Sequence, residues 1–325
     1  MSGKLQFGIA VLILSSYSLS WAQSGSRGAL GSHRIHQQRL AQQQQQQLQW
    51  QAEQQRRQRL QAALERQRAA EAASRADEAR QKAGVAVVEL FTSQGCSSCP
   101  SADEALMQVV KVASQRDVRV YALSFHVDYW NRLGWDDPYS QADFTTRQAT
   151  YAARGSGNQV YTPQMIVNGT DGFVGSDRDQ IHRSITSALR TRPQTKIDIN
   201  VNSGDTPGDL NVEYQLSGQV EDKALNVAVV QTPRSTNVVS GENAGRQLSH
   251  VNVVRAFKVV VPETANGVVS IKLLEDFDNS IDYDVIVYAQ DKKTYAISGA
   301  NAITMVGAKL ARLQSQKAKG VQSAS

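Results

Sequence analysis

Apolar runs and helix-like segments alternate through the middle of the chain, between residues 84 and 193. Residues 85–91 and 118–125 are continuous apolar, β-branched runs, which predict two buried strands. Residues 100–114 lie between them and place apolar side chains on one face after an acidic first turn, which predicts a helix beginning at Pro100. A strand–helix–strand order of this kind predicts two parallel strands whose carboxyl ends meet at one edge of a sheet.

The same alternation continues to the end of this region. Two helices are predicted over residues 141–154 and 179–190, and a strand over residues 160–168 lies between them and begins through Thr162–Pro163. We therefore expect residues 84–193 to fold as an α/β domain.

Short alternating or β-branched runs, separated by Gly, Pro, Asn and Asp turns, replace this pattern from residue 194 onward. They predict strands over residues 196–201, 210–216, 224–231, 251–261, 268–274 and 283–289. We expect residues 194–305 to form a mostly antiparallel β-sandwich-like module packed on the α/β domain.

The two ends of the chain have a different character. The chain has 325 residues, enough for two ordinary domains with tails. Residues 1–22 combine Lys4, a short apolar core and small residues before the expected cleavage point, which predicts a secretory signal. We expect export to a bacterial periplasm, no membrane span after signal cleavage, and a disordered tail over residues 306–325; an uncleaved N-terminal anchor is the alternative.

Residues 23–83 form a low-complexity arm rich in Gln, Arg and Ala, with fourteen Gln between residues 37 and 61. This composition favours helix but provides no continuous apolar face, so the arm is predicted to be an isolated helix or a disordered segment. We interpret it as a solvated spacer or, alternatively, as a partner-binding or weakly coiled-coil arm.

The positive charge of the chain is concentrated in this arm. The formal net charge is +5, yet residues 23–83 contain eleven Lys and Arg against five Asp and Glu. With Lys4 counted in the signal, the rest of the chain is mildly acidic. Because the basic charge lies in a low-complexity arm that contains no recognised nucleic-acid-binding motif, we expect no nucleic-acid partner.

Cys96 and Cys99 are the only cysteines of the chain and form a C-x-x-C pair where the first strand meets the first helix. A helix N-terminus stabilises a thiolate at Cys96, and Cys99 is placed to resolve a mixed disulfide formed there. A structural bridge over so short a loop would restrain the unfolded chain by only roughly 2 kcal/mol. A redox pair is our leading interpretation; a structural or vestigial disulfide and metal ligation are the alternatives.

His126 and Asp128 follow the second predicted strand, at the sheet edge that also holds the cysteines. His126 could tune the Cys96 thiolate as a cation or general base, or be a hydrogen-bonded structural histidine. In the alternative metal site, Cys96, Cys99, His126 and Asp128 would bind copper or zinc.

Several longer motifs resemble a known family over about residues 85–303. The motifs are ELFTSQGCSSCPSAD, SFHVDYWNRLGWDDP, FTTRQATYA, VYTPQMIVNG, VVRAF and VIVYAQ. They resemble the secreted family catalogued as domain of unknown function 1223, which is assigned to the thioredoxin-like superfamily. The resemblance implies that residues 84–193 have a thioredoxin-like fold.

The resemblance also implies roles for three further residues. Pro163 would be a cis-proline opposite the dithiol, and the backbone of Thr162 would pair with substrate. Thioredoxins bury a carboxylate beneath the dithiol, and Glu89, set one residue further from the cysteine, is the nearest candidate here to relay a proton. An ordinary trans proline and an ion-paired Glu89 are the alternatives.

The sequence thus predicts an exported thiol-disulfide oxidoreductase that acts on protein or small-thiol disulfide substrates. Cys96 would attack, Cys99 would resolve, Thr162 and Pro163 would position the partner, and His126 or Glu89 would handle protons. A periplasmic metal-binding protein or metallochaperone is one alternative. A non-enzymatic scaffold, in which the arm and the β-rich module bind partners, is the other.

Overall fold

The computed structural model describes residues 27–154, 159–204, 206, 208–232, 235–274, 277 and 281–306. The predicted signal over residues 1–22 lies outside them, and so does the predicted tail beyond Val306. The chain divides into two compact units, residues 1–73 and 74–325. Among the described residues, no helix has both the length and the apolar character needed to cross a membrane.

One long helix, α1 (Arg27–Lys82), of 56 residues contains every described residue of the first unit. Its leucines Leu40, Leu48, Leu60 and Leu64 are each at least half exposed, and so is Trp50. The expected helical character of the arm is therefore confirmed over these residues, while its role stays a prediction.

After α1, the second unit contains the α/β elements that the apolar runs predict. In chain order they are β1 (Ala86–Thr92), α2 (Pro100–Arg116), β2 (Val120–His126), α3 (Ala142–Ala152), β3 (Gln164–Val167), β4 (Asp171–Val174) and α4 (Arg178–Arg190). Strands β1 and β2 pair in parallel, with Thr92 opposite His126, as the strand–helix–strand order predicts. Strand β3 pairs antiparallel with β1 and with β4. The predicted strand over residues 160–168 is thus shorter than expected and returns as a hairpin.

Strand β1 presents two different faces to the helices. Ala86, Val88 and Leu90 pack against α2 and α4, in one core with Leu106 and Ile181. The alternate residues Val87 and Phe91 pack against α3, in a second core. Because successive side chains of a strand point to opposite faces, each residue of β1 belongs to one helix layer or the other.

The later strands continue the same sheet. They are β5 (Thr195–Ser203), β6 (Asp209–Gly218), β7 (Lys223–Gln231), β8 (Thr236–Asn237), β9 (Gln247–Leu248), β10 (Val253–Val260), β11 (Asn266–Lys272), β12 (Tyr283–Asp291) and β13 (Ile297–Met305). The main sheet has eight strands in the order β13-β12-β7-β10-β2-β1-β3-β4. All its neighbours pair antiparallel except β1 with β2 and β2 with β10.

The main sheet has two halves, β13-β12-β7-β10 and β2-β1-β3-β4, and the seam where β10 pairs with β2 is narrow. Strand β10 meets β2 through one pair, Val253 and Ser124, beside which the Asn252 side chain donates to the Ala122 carbonyl over 3.1 Å. Strands β5, β6 and β11 form a separate three-stranded sheet, whose apolar face packs on β7 and β12. The mixed α/β fold with a mostly antiparallel sheet is confirmed, while the domain boundary expected after residue 193 stays a prediction.

Candidate functional site

The two cysteines form a disulfide at the junction of β1 and α2. Their Cα atoms are 5.4 Å apart, and Cys99 immediately precedes the first helical residue, Pro100. The intervening Ser97 and Ser98 are exposed, yet both cysteines are fully buried. The disulfide is therefore shielded from solvent, and the Ser98 hydroxyl lies 3.3 Å from Cys96 Sγ.

A segment between β7 and β10 binds the backbone around the disulfide. We call residues 238–248 the cap segment. The buried Asn243 amide donates to the carbonyl oxygens of Gln94 over 2.8 Å and of Cys96 over 2.9 Å. The exposed Glu242 carboxylate accepts the Ser97 N–H over 2.9 Å, and hydrogen bonds from Ser97 lower the pKa of Glu242. The cap segment thus holds residues 93–99, here called the dithiol loop, through carbonyl and N–H groups of the loop backbone.

His126 lies beneath the loop as one half of a buried ion pair. Its Nδ1 is 2.7 Å from Asp137 Oδ2, and both side chains are fully buried. Burial alone would lower the pKa of His126, but the Asp137 carboxylate raises it above its usual value. Burial alone would raise the pKa of Asp137, but His126 and the N–H groups of Gln94 and Tyr139 lower it. Asp137 therefore positions His126 and the dithiol loop together, since it accepts from Gln94 over 2.8 Å.

The His126–Asp137 pair makes the stability of the folded protein depend on pH. A histidine whose pKa is raised on folding stabilises the folded state fully below about pH 6.5, its unfolded pKa, and loses this contribution as the pH rises through the folded pKa. We expect the free energy of unfolding to fall over that range by about 1.4 kcal/mol for every pH unit that separates the folded pKa from the unfolded one. Denaturant unfolding from about pH 6 to about pH 9 measures it.

The matched control for this prediction is the exposed His182. His182→Gln should keep the pH dependence, and His126→Gln should flatten it. An unchanged slope in the His126 variant would mean that another group accounts for the pH dependence.

A second histidine extends this buried cluster towards α2. The His250 ring centre is 4.7 Å from that of His126, and His250 Nε2 is 3.1 Å from the Gln94 amide nitrogen. His250 Nδ1 is 3.6 Å from Asp103 Oδ2, and both residues are buried. Gln94, two residues before Cys96, therefore contacts both His–Asp pairs.

Trp130 connects the dithiol loop with Thr162 and Pro163. The indole N–H donates to Thr162 Oγ1 over 2.7 Å, and a β-carbon on Gly95 would lie 3.2 Å from the Trp130 β-carbon. The Thr162–Pro163 peptide bond is cis, as the family resemblance implies. A β-carbon on Gly175 would lie within 3.3 Å of both Pro163 and Ala102, so Pro163 lies beside the first turn of α2.

Glu89 is not brought to the dithiol. It lies on the β1 face that packs against α3, three residues before the strand end, which is about 10 Å along a strand. Glu89 Oε1 accepts from Arg147 Nη2 over 2.7 Å and from the Tyr288 hydroxyl over 2.6 Å, and Oε2 accepts from the Tyr151 hydroxyl. The ion-paired alternative for Glu89 is the one that the geometry supports.

Asp128 is likewise turned away from the cysteines. Its Oδ1 accepts from Thr145 Oγ1 over 2.5 Å, and its N–H donates to the same hydroxyl, which ties it to the start of α3. In the described part of the chain, no group of three or more His, Cys, Asp and Glu side chains has the geometry to hold a metal ion. The copper or zinc site therefore stays a prediction from the sequence.

Besides Gln94 and Asp103, which lie next to the cysteines, four more distant residues of the site were not singled out by the sequence: Asp137, His250, Asn243 and Glu242. Asp137 had a visible signal, since it follows His126 by eleven residues in a Gly- and Pro-containing loop. The other three lie more than 140 residues after the cysteines in sequence. No local pattern connects positions so far apart.

The fold and the site define a class of protein: a mixed α/β chain in which a buried C-x-x-C disulfide lies between a strand and a helix, above a histidine–aspartate pair. The model of the family described as "Protein of unknown function (DUF1223)" matches residues 87–290. The chain belongs to this family.

Solved structures include one of comparable extent. The X-ray crystal structure of protein AGR_C_4864 from Agrobacterium tumefaciens is 28% identical, with 69% of this chain and 95% of that chain covered and a TM-score of 0.50. Smaller similarities are found to a domain of the outer membrane lipoprotein Omp28 from Porphyromonas gingivalis, at 8% identity, 35% and 89% coverage and a TM-score of 0.21. Wild-type OgpA from Akkermansia muciniphila is 13% identical, with 35% and 29% covered and a TM-score of 0.22. None of the curated proteins matches.

Proposed function

We propose that this protein is an exported thiol-disulfide oxidoreductase that acts through the Cys96–Cys99 pair. The observation that carries the proposal is the disulfide itself, formed at the N-terminus of α2 with the His126–Asp137 pair beneath it. A helix N-terminus stabilises negative charge, and a buried imidazole with a raised pKa supplies a cation close to the loop. Both effects favour a thiolate at Cys96 once the disulfide is reduced.

The topology around the dithiol supports a thioredoxin-like assignment. Strands β1 and β2 are parallel with α2 between them, β3 and β4 form an antiparallel hairpin on the other side of β1, and α4 follows. Helices α2 and α4 share one face of the sheet, and α3 covers the other. In this proposal Thr162 and Pro163, beside the first turn of α2, present backbone groups to the substrate.

The reaction is an exchange of disulfides. A substrate thiolate attacks Cys96 Sγ, the Cys96–Cys99 bond breaks, and its electron pair remains on Cys99 Sγ. A second substrate thiolate then attacks the substrate sulfur of the mixed disulfide and releases the Cys96 thiolate. The substrate loses two electrons and the protein gains two; the reverse sequence reduces a disulfide substrate.

The fully buried disulfide sets a condition on this reaction. No external thiol can contact Cys96 Sγ while its exposed fraction is 0%. In this proposal the cap segment, attached through Asn243 and Glu242, moves away before exchange and opens access to the disulfide. Residues Ser97 and Ser98 already face solvent and mark the side from which a partner approaches.

Trapping of mixed disulfides tests the proposal. The Cys99→Ser variant retains the attacking thiol and lacks the resolving one, so we expect it to accumulate disulfide-linked partners in an oxidising cell extract. The adducts are detected by non-reducing electrophoresis and identified by mass spectrometry. The matched control is Cys96→Ser, which should trap partners at least about 10-fold less well because its remaining thiol, Cys99, is the resolving and not the attacking one in this proposal. Absence of adducts with both variants would contradict the proposal.

A further inference from the structure

Asp103 lies one helical turn after Cys99 on the buried face of α2. The Asp103 N–H donates to the Cys99 carbonyl over 3.0 Å, so the two residues are neighbours on one side of the helix. Helical side chains lean towards the N-terminus of their helix, which directs the Asp103 carboxylate towards the turn that holds Cys99. The exposed fractions of Asp103 and Cys99 are 4% and 0%.

Two polar atoms beside this turn have no hydrogen-bond partner within the described ranges: Asp103 Oδ1 and His250 Nδ1. The distance of 3.6 Å from His250 Nδ1 to Asp103 Oδ2 permits a charge interaction but is too long for a hydrogen bond. A buried polar group left without a partner costs about 1–3 kcal/mol, and more when it is charged. While Cys99 is held in the disulfide its sulfur carries no proton, whereas a Cys99 thiol would supply the donor that Asp103 Oδ1 lacks.

We propose that Asp103 and His250 are the buried acid–base pair that exchanges a proton with the resolving thiol of Cys99. The assignment rests on the proposed function. When a substrate thiolate attacks Cys96 Sγ, the electron pair of the broken S–S bond stays on Cys99 Sγ, and a proton held by the Asp103–His250 pair passes to that sulfur. In the reverse direction the pair takes the proton from Cys99, which attacks the mixed disulfide at Cys96 and expels the substrate thiolate.

This pair takes the role that the sequence assigned to Glu89. Glu89 lies on the opposite face of β1, and its oxygens are occupied by Arg147, Tyr151 and Tyr288. Asp103 belongs to α2, the helix that begins directly after Cys99. It is linked through His250 to Gln94 in the dithiol loop. The geometry thus provides a proton donor on the side where Cys99 leaves.

Other charged and titratable groups face the pair from each neighbouring element. His126 from β2 and Asp137 from the following loop form the adjacent ion pair, with His126 in ring contact with His250. Arg255 from β10 lies 5.1 Å from the ring centre of Tyr139, which itself lies 6.2 Å from that of His250. Each of these groups also shapes the pH profile, so the test compares variants and does not interpret one profile alone.

The rate at which dithiothreitol reduces the protein's own disulfide tests the assignment without a natural partner. The full chain is mixed with dithiothreitol from about pH 6 to about pH 9, and Cys96 and Cys99 are quantified by alkylation and mass spectrometry. After correction for the thiolate fraction of the reagent, we expect Asp103→Asn to slow reduction about 100-fold at neutral pH and to flatten the remaining pH profile. The solvent-exposed neighbour Glu104→Gln is the matched control and should behave as wild type.

The outcomes separate the assignment from the function. Folded Asp103→Asn protein with the wild-type rate and pH profile overturns the assignment alone. A wild-type disulfide that dithiothreitol does not reduce in the folded protein overturns the proposed function. If Asp103→Asn fails to fold, His250→Gln carries the same test: a slower rate with a flattened profile supports the pair, and an unchanged profile contradicts it.

Discussion

Replacement of Arg147 by methionine is expected to destabilise the folded protein by about 3–5 kcal/mol, which is a large part of the stability of an ordinary domain. Arg147 is the cation opposite the fully buried Glu89, and its own side chain is only 10% exposed. Burial alone would lower the pKa of Arg147, but Glu89 raises it above its usual value, so the guanidinium is always charged. Without it, the hydrogen bonds left to the buried Glu89 carboxylate among the described residues come from the hydroxyl groups of Tyr151 and Tyr288, which carry no positive charge.

The surroundings of Arg147 match the hydrogen-bonding groups and the flat shape of a guanidinium. Its Nε and Nη2 both donate to Glu89 Oε1, over 2.9 and 2.7 Å, and Nη1 donates to Asn226 over 3.2 Å. The guanidinium carbon also lies 4.6 Å from the ring centre of Phe257 and 5.1 Å from that of Tyr151. Methionine fills the space between these rings but cannot neutralise the carboxylate.

Two comparisons make this prediction specific. Glu89→Gln combined with Arg147→Met removes both charges and should restore part of the lost stability, because an unpaired buried charge is the main penalty. Arg178→Met removes an ion pair with Glu104 whose side chains are 58% and 60% exposed, and should change stability by less than about 1 kcal/mol. Denaturant unfolding at neutral pH measures all three. A loss below about 1 kcal/mol in Arg147→Met would contradict the argument.

Replacement of Asn243 by alanine is expected to accelerate reduction of the disulfide by an external thiol about 30- to 150-fold. The Asn243 amide holds the cap segment to the carbonyl oxygens of Gln94 and Cys96 in a fully buried position. Alanine leaves those two carbonyls without this donor, and an unsatisfied buried group costs about 1–3 kcal/mol. A loss of about 2–3 kcal/mol in the closed state lowers the free energy of opening by that amount, at about 1.4 kcal/mol per tenfold change.

The control for this prediction lies in the same segment. Val239 is 77% exposed, so Val239→Ala shortens a side chain of the cap segment without removing a contact to the dithiol loop. Reduction by dithiothreitol, followed by alkylation and mass spectrometry, should give the wild-type rate for Val239→Ala. Equal rates in Asn243→Ala and wild type would mean that the cap segment does not limit access to Cys96.

The sequence was sufficient for the elements whose signals are local. The apolar runs that become β1 and β2, the helix beginning at Pro100, and the position of Cys99 directly before that helix all follow from neighbouring residues. His126 could be placed near the dithiol because the carboxyl ends of parallel strands meet at one sheet edge, and Thr92 is indeed opposite His126.

Glu89 illustrates why one residue matters in a strand. A carboxylate on the face of β1 that packs against α2 would have to occupy position 88 or 90, where this chain has Val88 and Leu90. A shift of one residue moves a side chain to the other side of the sheet, and there Glu89 meets Arg147 and α3. A comparison of sequence motifs tolerates an offset of one residue. In a strand the same offset moves the side chain to the opposite face of the sheet.

The remaining parts of the site depend on contacts between distant positions. Asn243 follows Cys96 by 147 residues, and His250 follows Gln94 by 156. Their sequence surroundings indicate only turns and short strands, because a cap segment with two-residue strands has no periodic signal. Strand β13 was also missed, since its sequence ISGANAITM is rich in small and polar residues and its identity as a strand depends on pairing with β12.

The narrow seam between β2 and β10 has an evolutionary consequence. Strand β10 protects the edge of β2 through Val253 and the adjacent Asn252, and the segment before β10 supplies both Asn243 and His250. The β-rich half is therefore not a domain that recombination could exchange for another. A replacement would have to bring its own strand for the open edge, its own amide for the dithiol loop and its own imidazole for Asp103. The two halves are therefore expected to be inherited together as one unit.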